Sequence, residues 1–600
     1  MRGSIDLNHR YDPHPAFPAL LFVICSICSG CWSRQPAVPA VESTRFAGIS
    51  DISYDGYVPG INGGRFVTVR SGSGIKTFNT ALADDPISTH VTELMNAALV
   101  RRNQMTMEWE PWLADKWEIS AGETEITFYL REGVRWSDGQ PITAADWVFT
   151  AKVALTPGIK VRMRDKFLFA DGRAGFKAVD DTTVKLILPS PYSKAFEIAA
   201  VCPLPSHILK PVFESGADRF STFWGGDADI TTLVGSGPFV VSRYSPGTIL
   251  EMKPNIHYFE HDTAGTRLPY IDTYVIHLVE NEEAAVEKLL AGEIDHCVLN
   301  PHDAARVASA KDKRAIELYD AGPDSETLLL AFNQNPTGVK PEVLEWMEDK
   351  RFRQALSYLV DREWIINNLS AGIGYPSVTF MPPASPYYWK EADRTALRFD
   401  PERAAELLDR AGFRDTDGDG IREDRHGNTV VLSIRTNDDN PLRMAICEHY
   451  VEETRKTGIK ISFMPESFNV IVTRLISSYE WELVLIGFAG EIDPVDQGAI
   501  FLSRGSQHVI EPGQLYPRRK WEAYVDAAWN KAATTLEEEA KRAAFELVQR
   551  TWIEEVPWVY TYSAAVVHAY RRGWGNIFPR SVDGYGLTAI LPRIYKRNPQ

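Results

Sequence analysis

The sequence predicts an α/β fold in at least two lobes, and three observations carry the prediction. The chain has 600 residues, 44% of them hydrophobic, well beyond the roughly 250 to 300 residues at which single cores stop growing. Short β-type runs alternate with amphipathic helical runs through its body. Turn and capping residues stand at the boundaries between these runs, where the backbone chemistry needs them.

The N-terminus sets the compartment. Residues 16–28 (AFPALLFVICSIC) form an apolar run shorter than the roughly 20 residues needed to span a bilayer, but of the right length for the apolar core of a signal peptide. The run ends at Ser29-Gly30-Cys31, which resembles the lipobox of bacterial lipoproteins. Residues 1–31 are therefore expected to be a signal peptide ending in a lipidated Cys31, with Cys28 in place of the usual Leu and a long leading segment as departures. The protein is expected outside the cell's inner membrane, in the periplasm or on the cell surface, held to a membrane by lipid. Residues 32–63 read as a flexible tether containing Pro, Ser and Gly, with folding expected from near Gly64.

In the body, Phe66-Val67-Thr68-Val69 reads as a strand, and Asp85-Pro86 opens a helix with Val91, Leu94, Met95 and Ala98 on its apolar face. Ile126, Phe128 and Leu130 alternate with polar residues as in a half-buried strand, and Ser137-Asp138-Gly139 supplies a turn. Thr143 then stands as an N-cap three residues before Asp146, with Trp147, Val148 and Ala151 following at helical spacing. Residues 268–276 read as a strand and residues 281–292 as a short helix ended by glycine. Asp400-Pro401 opens a helix that Gly412 stops. Thr535-Leu536-Glu537-Glu538 predicts a capping box, with Ala540, Ala543, Ala544, Leu547 and Val548 as the buried stripe of the helix behind it.

Several of these segments, in order, resemble one family. Residues 110–149 carry Leu113-Ala114-Asp115, Trp117, Leu130-Arg131-Glu132-Gly133-Val134, Ser137-Asp138-Gly139 and Thr143-Ala144-Ala145-Asp146. Farther on come Gly235-Ser236-Gly237-Pro238 with Asn255 and Tyr258-Phe259, then Glu293-Ile294-Asp295, and the run Arg351-Phe352-Arg353-Gln354-Ala355-Leu356 before Asp361-Arg362-Glu363. The pattern is similar to that of the periplasmic solute-binding proteins of the peptide/opine/nickel type, which feed ABC importers. The resemblance implies a large, type II-like periplasmic-binding-protein fold of two lobes with the ligand cleft between them. It places lobe I at residues 64–276 and 560–600, with an extra subdomain at about 95–235, and lobe II at residues 277–559. The chain is expected to cross between lobes near Ile276 and Tyr560.

The function implied is capture of oligopeptides or dipeptides by a monomeric receptor, without catalysis or cofactor, and delivery to the permease subunits. Nickel chelate, sugar oligomer or opine are the alternative cargoes. A buried α-ammonium needs a carboxylate partner. In peptide-binding relatives an acid follows a strand that Leu483-Val484-Leu485-Ile486-Gly487-Phe488-Ala489-Gly490-Glu491 resembles, so Glu491 is the expected amine ligand, with Asp493 and Asp496 as alternatives. Of the cysteines beyond the signal segment, Cys202, Cys297 and Cys447, all three cannot pair internally; Cys297 with Cys447 is the expected disulfide, both lying in the second lobe so assigned.

Other classes lack their parts. A net charge of −16 argues against nucleic acid or an anionic membrane surface as the main partner. An exported hydrolase is the reading from a different class, but H-E-x-x-H, G-x-S-x-G and Walker motifs are missing, and His90, His207, His257 and His277 are scattered. Asp415-Thr416-Asp417-Gly418-Asp419-Gly420 is like the opening of a calcium loop, yet position twelve is His426 and not an acid, so it reads as a turn. No metal site is expected.

Overall fold

The computed structural model describes residues 46–51, 56–72, 74–580 and 587–597. Cys31, the expected signal peptide and part of the expected tether lie outside the described residues. Among those described, no helix is long and apolar enough to cross a membrane.

Two large sheets organise the chain into two lobes. The first has nine strands, including Arg65–Ser71, Thr273–Val279, His296–Leu299, Ile316–Pro323 and Tyr562–Arg571. Arg65–Ser71 pairs in parallel with Thr273–Val279, and Tyr562–Arg571 runs antiparallel between Ile316–Pro323 and His296–Leu299. The second sheet has five strands in the order Lys460–Glu466, Val431–Asn437, Leu483–Ala489, Glu326–Phe332 and Trp558–Tyr560. Helices and loops cover both faces of each sheet, so the central strands are largely buried, with Thr68, Arg70, His296 and His568 as buried polar or charged members of the first sheet. In Glu326–Phe332 the side chains alternate between two cores: Leu328, Leu330 and Phe332 enter one, Leu329 and Ala331 the other.

A smaller four-stranded antiparallel sheet, with Ala114–Ile119, Glu125–Leu130, Thr183–Ile187 and Gly175–Asp180 in that order, shares a core with the first lobe. Ile126, Phe128 and Leu130 are buried, as their alternation requires. The helix Ala144–Leu155 begins at Thr143, whose N–H donates to Asp146 Oδ2 at 2.9 Å.

The chain leaves the first sheet between Pro323 and Glu326 and returns between Tyr560 and Tyr562. The expected crossing at Ile276 is corrected: Ile276 lies inside a first-sheet strand, and two further strands of that sheet follow before the chain crosses. A third segment, Gly374–Pro376, comes back from the second lobe to pair with Tyr562–Ala564. The described part of the expected tether is not free either. Phe46 is buried, Ser50–Asp51 pairs with Tyr319 and Asp320, and Val58 exchanges hydrogen bonds with Asn576.

The expected disulfide is also corrected. Cys297 and Cys447 are free thiols in different cores, Cys297 on a first-sheet strand and Cys447 on the helix Pro441–Lys456 of the second lobe. The expected capping box at Thr535 is displaced: the helix is Glu538–Glu555, and Thr535 Oγ1 accepts from Glu537 N instead. Its buried stripe is Lys541, Ala544, Phe545, Val548, Gln549 and Trp552, whereas Leu547 is exposed, because the stripe follows the aromatic residues and not the alanines.

Candidate functional site

The strand Leu483–Ala489 runs through the second sheet and ends at a loop that faces the first lobe. Gly490 turns the chain there. Its N–H donates to Ser325 O at 2.6 Å, and a Cβ would lie 2.8 Å from that same oxygen, so only glycine permits the approach. Beyond it Asp493 caps the 3-10 turn Pro494–Gln497, and Gln497 Nε2 reaches back to Ala489 O at 2.6 Å. The loop therefore has a defined shape.

The three acids singled out from the sequence lie together on this loop, in different environments. Asp493 is buried, and its carboxylate is paired with Lys541, itself buried on the helix Glu538–Glu555. Burial presses the Lys541 pKa down and the Asp493 charge opposes it. Arg102 from the first lobe stands 3.9 Å from Asp493, packed over the Trp109 ring at 4.2 Å. Asp493 is the anchor of the loop more than its reactive face.

Asp496 is paired with Lys194 of the first lobe and accepts from the Tyr192 hydroxyl at 3.3 Å. Glu491 is 3.6 Å from the same Lys194 Nζ, with 47% of its side chain exposed. Burial pushes the Glu491 pKa up; Lys194 lowers it, and Asp496 and Asp493 raise it again. Both Glu491 and Asp496 are partly exposed and share Lys194, but Asp496 holds the ammonium in the closer contact, which leaves Glu491 the most loosely paired carboxylate of the three.

Beside Glu491, Thr327, Leu329, Phe380, Phe488, Phe501 and Tyr560 line a small recess that is partly open to solvent. Gln497 also lines it, and its Oε1 is buried with no hydrogen-bond partner among the described residues. The arrangement is a cation-accepting carboxylate next to an apolar hollow with a spare acceptor. That suits a molecule with a positive group and an apolar one close together.

Sequence reasoning missed Lys194, Arg102 and Lys541. Their positions in the chain lie 302, 391 and 48 residues from their acid partners, and no local pattern marks them. The calcium-like loop is a turn in the structure, closed by pairing between Arg414 and Glu423. The carboxylate oxygens of Asp415, Asp417 and Asp419 lie within 4.8 Å of one another and are exposed. Asp415 accepts from Gly418 N at 2.7 Å and from Gly420 N at 3.0 Å.

Residues 108–508 match the model of the bacterial extracellular solute-binding proteins, family 5, middle region. A probable ABC transporter-binding protein of Deinococcus radiodurans is 28% identical over 460 residues, covering 74% of this chain and 76% of that protein. The oligopeptide-binding protein AppA of Bacillus subtilis is 25% identical over 492 residues, covering 81% and 83%. The solved structure of NikZ from Campylobacter jejuni, in complex with Ni(L-His), superposes with a TM-score of 0.61 at 22% identity, covering 90% of this chain and 100% of that one. With a family match over more than half its length and a two-lobe fold around an acidic loop, this chain belongs to the family 5 bacterial extracellular solute-binding proteins and is an ABC transporter substrate-binding protein.

Proposed function

We propose that this protein captures oligopeptides, holds the α-ammonium of each at Glu491, and delivers them as a monomer to permease subunits while a lipid on Cys31 anchors it. The observation that carries the cargo reading is Glu491 itself, an accessible carboxylate at the end of a central strand, facing the first lobe beside an apolar recess. A peptide's ammonium would meet the carboxylate while a neighbouring apolar side chain enters the recess. The similarity to a protein named as oligopeptide-binding supports this reading over most of the chain. In the same reading Asp493 holds the loop in place for Glu491 and does not touch the cargo.

The test is mass spectrometry of whatever is released when the purified protein is denatured. Oligopeptides of mixed sequence are expected. Recovery of a nickel chelate, sugar oligomer or opine in their place would overturn the peptide reading and leave the receptor reading standing. Conversion of added peptides into products would overturn the receptor reading. Anchoring has its own check, in which the full-length protein and Cys31→Ala are expressed in a bacterial host and extracted with detergent. The wild type is expected in the detergent phase and Cys31→Ala in the aqueous phase; equal partition refutes the lipid.

A further inference from the structure

Lys194 stands where the two lobes meet, and its charge partners lie on the opposite lobe. It precedes the short helix Ala195–Ala199, whose Ala195 and Phe196 are buried in the first-lobe core. Its side chain is 9% exposed, and its ammonium is paired with Asp496 and lies 3.6 Å from Glu491, both on the second-lobe loop. The flanking residues cross the same gap: Ser193 N donates to Ala533 O at 3.0 Å, and the Tyr192 ring packs against hydrophobic residues of both lobes. Burial opposes the charged form of Lys194, but Asp496 and then Glu491 outweigh it and raise its pKa.

The charge balance around the loop gives this contact a direction. Arg102 and Lys166 share Glu197, at 3.4 and 3.9 Å, and Glu538 adds a further negative charge near Lys541, so these four groups offset one another. That leaves the carboxylates of Glu491, Asp493 and Asp496 against the ammonium groups of Lys194 and Lys541, so one negative charge remains. One cargo ammonium completes it. An ammonium without a partner is expensive to bury, so Lys194 can occupy this position only when the second lobe brings its acids up to it. When lobes part about a hinge, the lysine returns to water and Glu491 loses its neighbour.

We propose that Lys194 is a positioning residue for cargo binding: a tethered ammonium of the first lobe that docks on Asp496 as the lobes close, fixes Glu491 for the cargo's amine, and holds the cleft shut. The role given to Glu491 here rests on the peptide reading above, whereas the docking of Lys194 on Asp496 does not. Lysine is suited to it because its flexible stem lets a compact charge reach two carboxylates at once.

The test uses full-length protein stripped of cargo by unfolding and refolding, as wild type, Lys194→Met, Lys194→Arg, Asp496→Asn and Glu491→Gln, each checked for an unchanged melting profile. Small-angle X-ray scattering of the empty proteins should give a larger radius of gyration for Lys194→Met and Asp496→Asn than for wild type, with Lys194→Arg restoring the compact form. Equal radii for all would overturn the docking role. An equimolar tripeptide mixture, free or N-acetylated, is then offered and the bound fraction measured by mass spectrometry. Lys194→Met should reduce retention of both forms at least about tenfold, as for a lost charge-assisted bond, whereas Glu491→Gln should reduce only the free form. Tighter binding of free peptides by Lys194→Met would make the lysine a competitor of the cargo and overturn the proposal. Failure of the wild type to retain either form would sink the peptide reading and the Glu491 role with it, and scattering alone would then decide the docking.

Discussion

At the scale of single residues, the least expected feature is a cluster of buried histidines in the first lobe. His296 Nε2 lies 3.0 Å from His568 Nδ1 and its Nδ1 lies 3.1 Å from Thr68 Oγ1, while His90 Nε2 lies 3.0 Å from the Tyr274 hydroxyl. Burial lowers the pKa of all three, with His568 and Arg70 adding to the effect on His296; His568 is pushed down to about 3. In the unfolded chain each ring regains a value near 6.5, so the unfolded state binds more protons below that pH. The stability these rings contribute is whole above about pH 6.5 and drains away as the pH falls toward their depressed values. Each ring adds a slope of up to about 1.4 kcal/mol per pH unit, or about 4 for the three. Urea unfolding between pH 7.5 and 5 should show this loss, with a shallower slope for His568→Asn. A flat stability profile over that range would contradict it.

At the scale of elements, the crossing between lobes is held by a buried arginine. Arg362 opens the helix Arg362–Leu369 behind the N-cap Asp361, which accepts from Trp364 N at 2.9 Å. Its guanidinium donates to Tyr560 O at 2.6 and 3.0 Å, to Ser377 O at 3.0 Å and to Leu397 O at 3.1 Å. Burial presses its pKa down to about 10, so it remains charged at neutral pH while serving carbonyl groups alone among these bonds. It ties the strand Trp558–Tyr560, where the chain turns back to the first lobe, to two loops of the second. Arg362→Met leaves three carbonyl groups without that donor, each costing about 1 to 3 kcal/mol, so a loss of about 3 kcal/mol or more is expected. Arg362→Lys should recover part of it, since an ammonium has fewer donors and no planar fork. A shift in the guanidinium chloride midpoint worth less than about 1 kcal/mol would contradict this clamp.

At the scale of the whole molecule, three chain segments join the lobes, and their hydrogen bonds are continuous across the junction. Asp324 N donates to Ala564 O at 2.8 Å, Thr561 N to Leu328 O at 2.9 Å, and Ser377 N to Thr561 O at 3.1 Å. A junction of this kind allows rotation about short extended segments while the sheets on either side move as units. The acidic loop and Lys194 lie on opposite sides of the gap that such rotation opens. Closure and charge pairing are therefore one event, which couples the site to the global conformation.

By itself the sequence determined the α/β class, the need for two lobes and the local elements, because these depend on interactions a few residues long. Ile126, Phe128 and Leu130 bury on one strand face, Asp400 accepts from Arg403 N to cap its helix, and Gly412 ends that helix at φ 95°. Glu491, just beyond the strand Leu483–Ala489, was singled out by the resemblance to the solute-binding family and not by a local rule. Tertiary structure decided the rest. The helix after Thr535 turned its stripe to suit a core of tryptophans and phenylalanines gathered from distant segments, and Leu547 was left outside. The crossing fell after Pro323 and not at Ile276 because sheet membership is set by pairing partners hundreds of residues apart, such as Ile316–Pro323 with Tyr562–Arg571. For the same reason Cys297 and Cys447 were separated into different lobes. The cations that divide the three loop acids into an anchor, a latch and a loosely paired carboxylate are brought in by the fold, because charge acts through space and leaves no periodic trace along the chain.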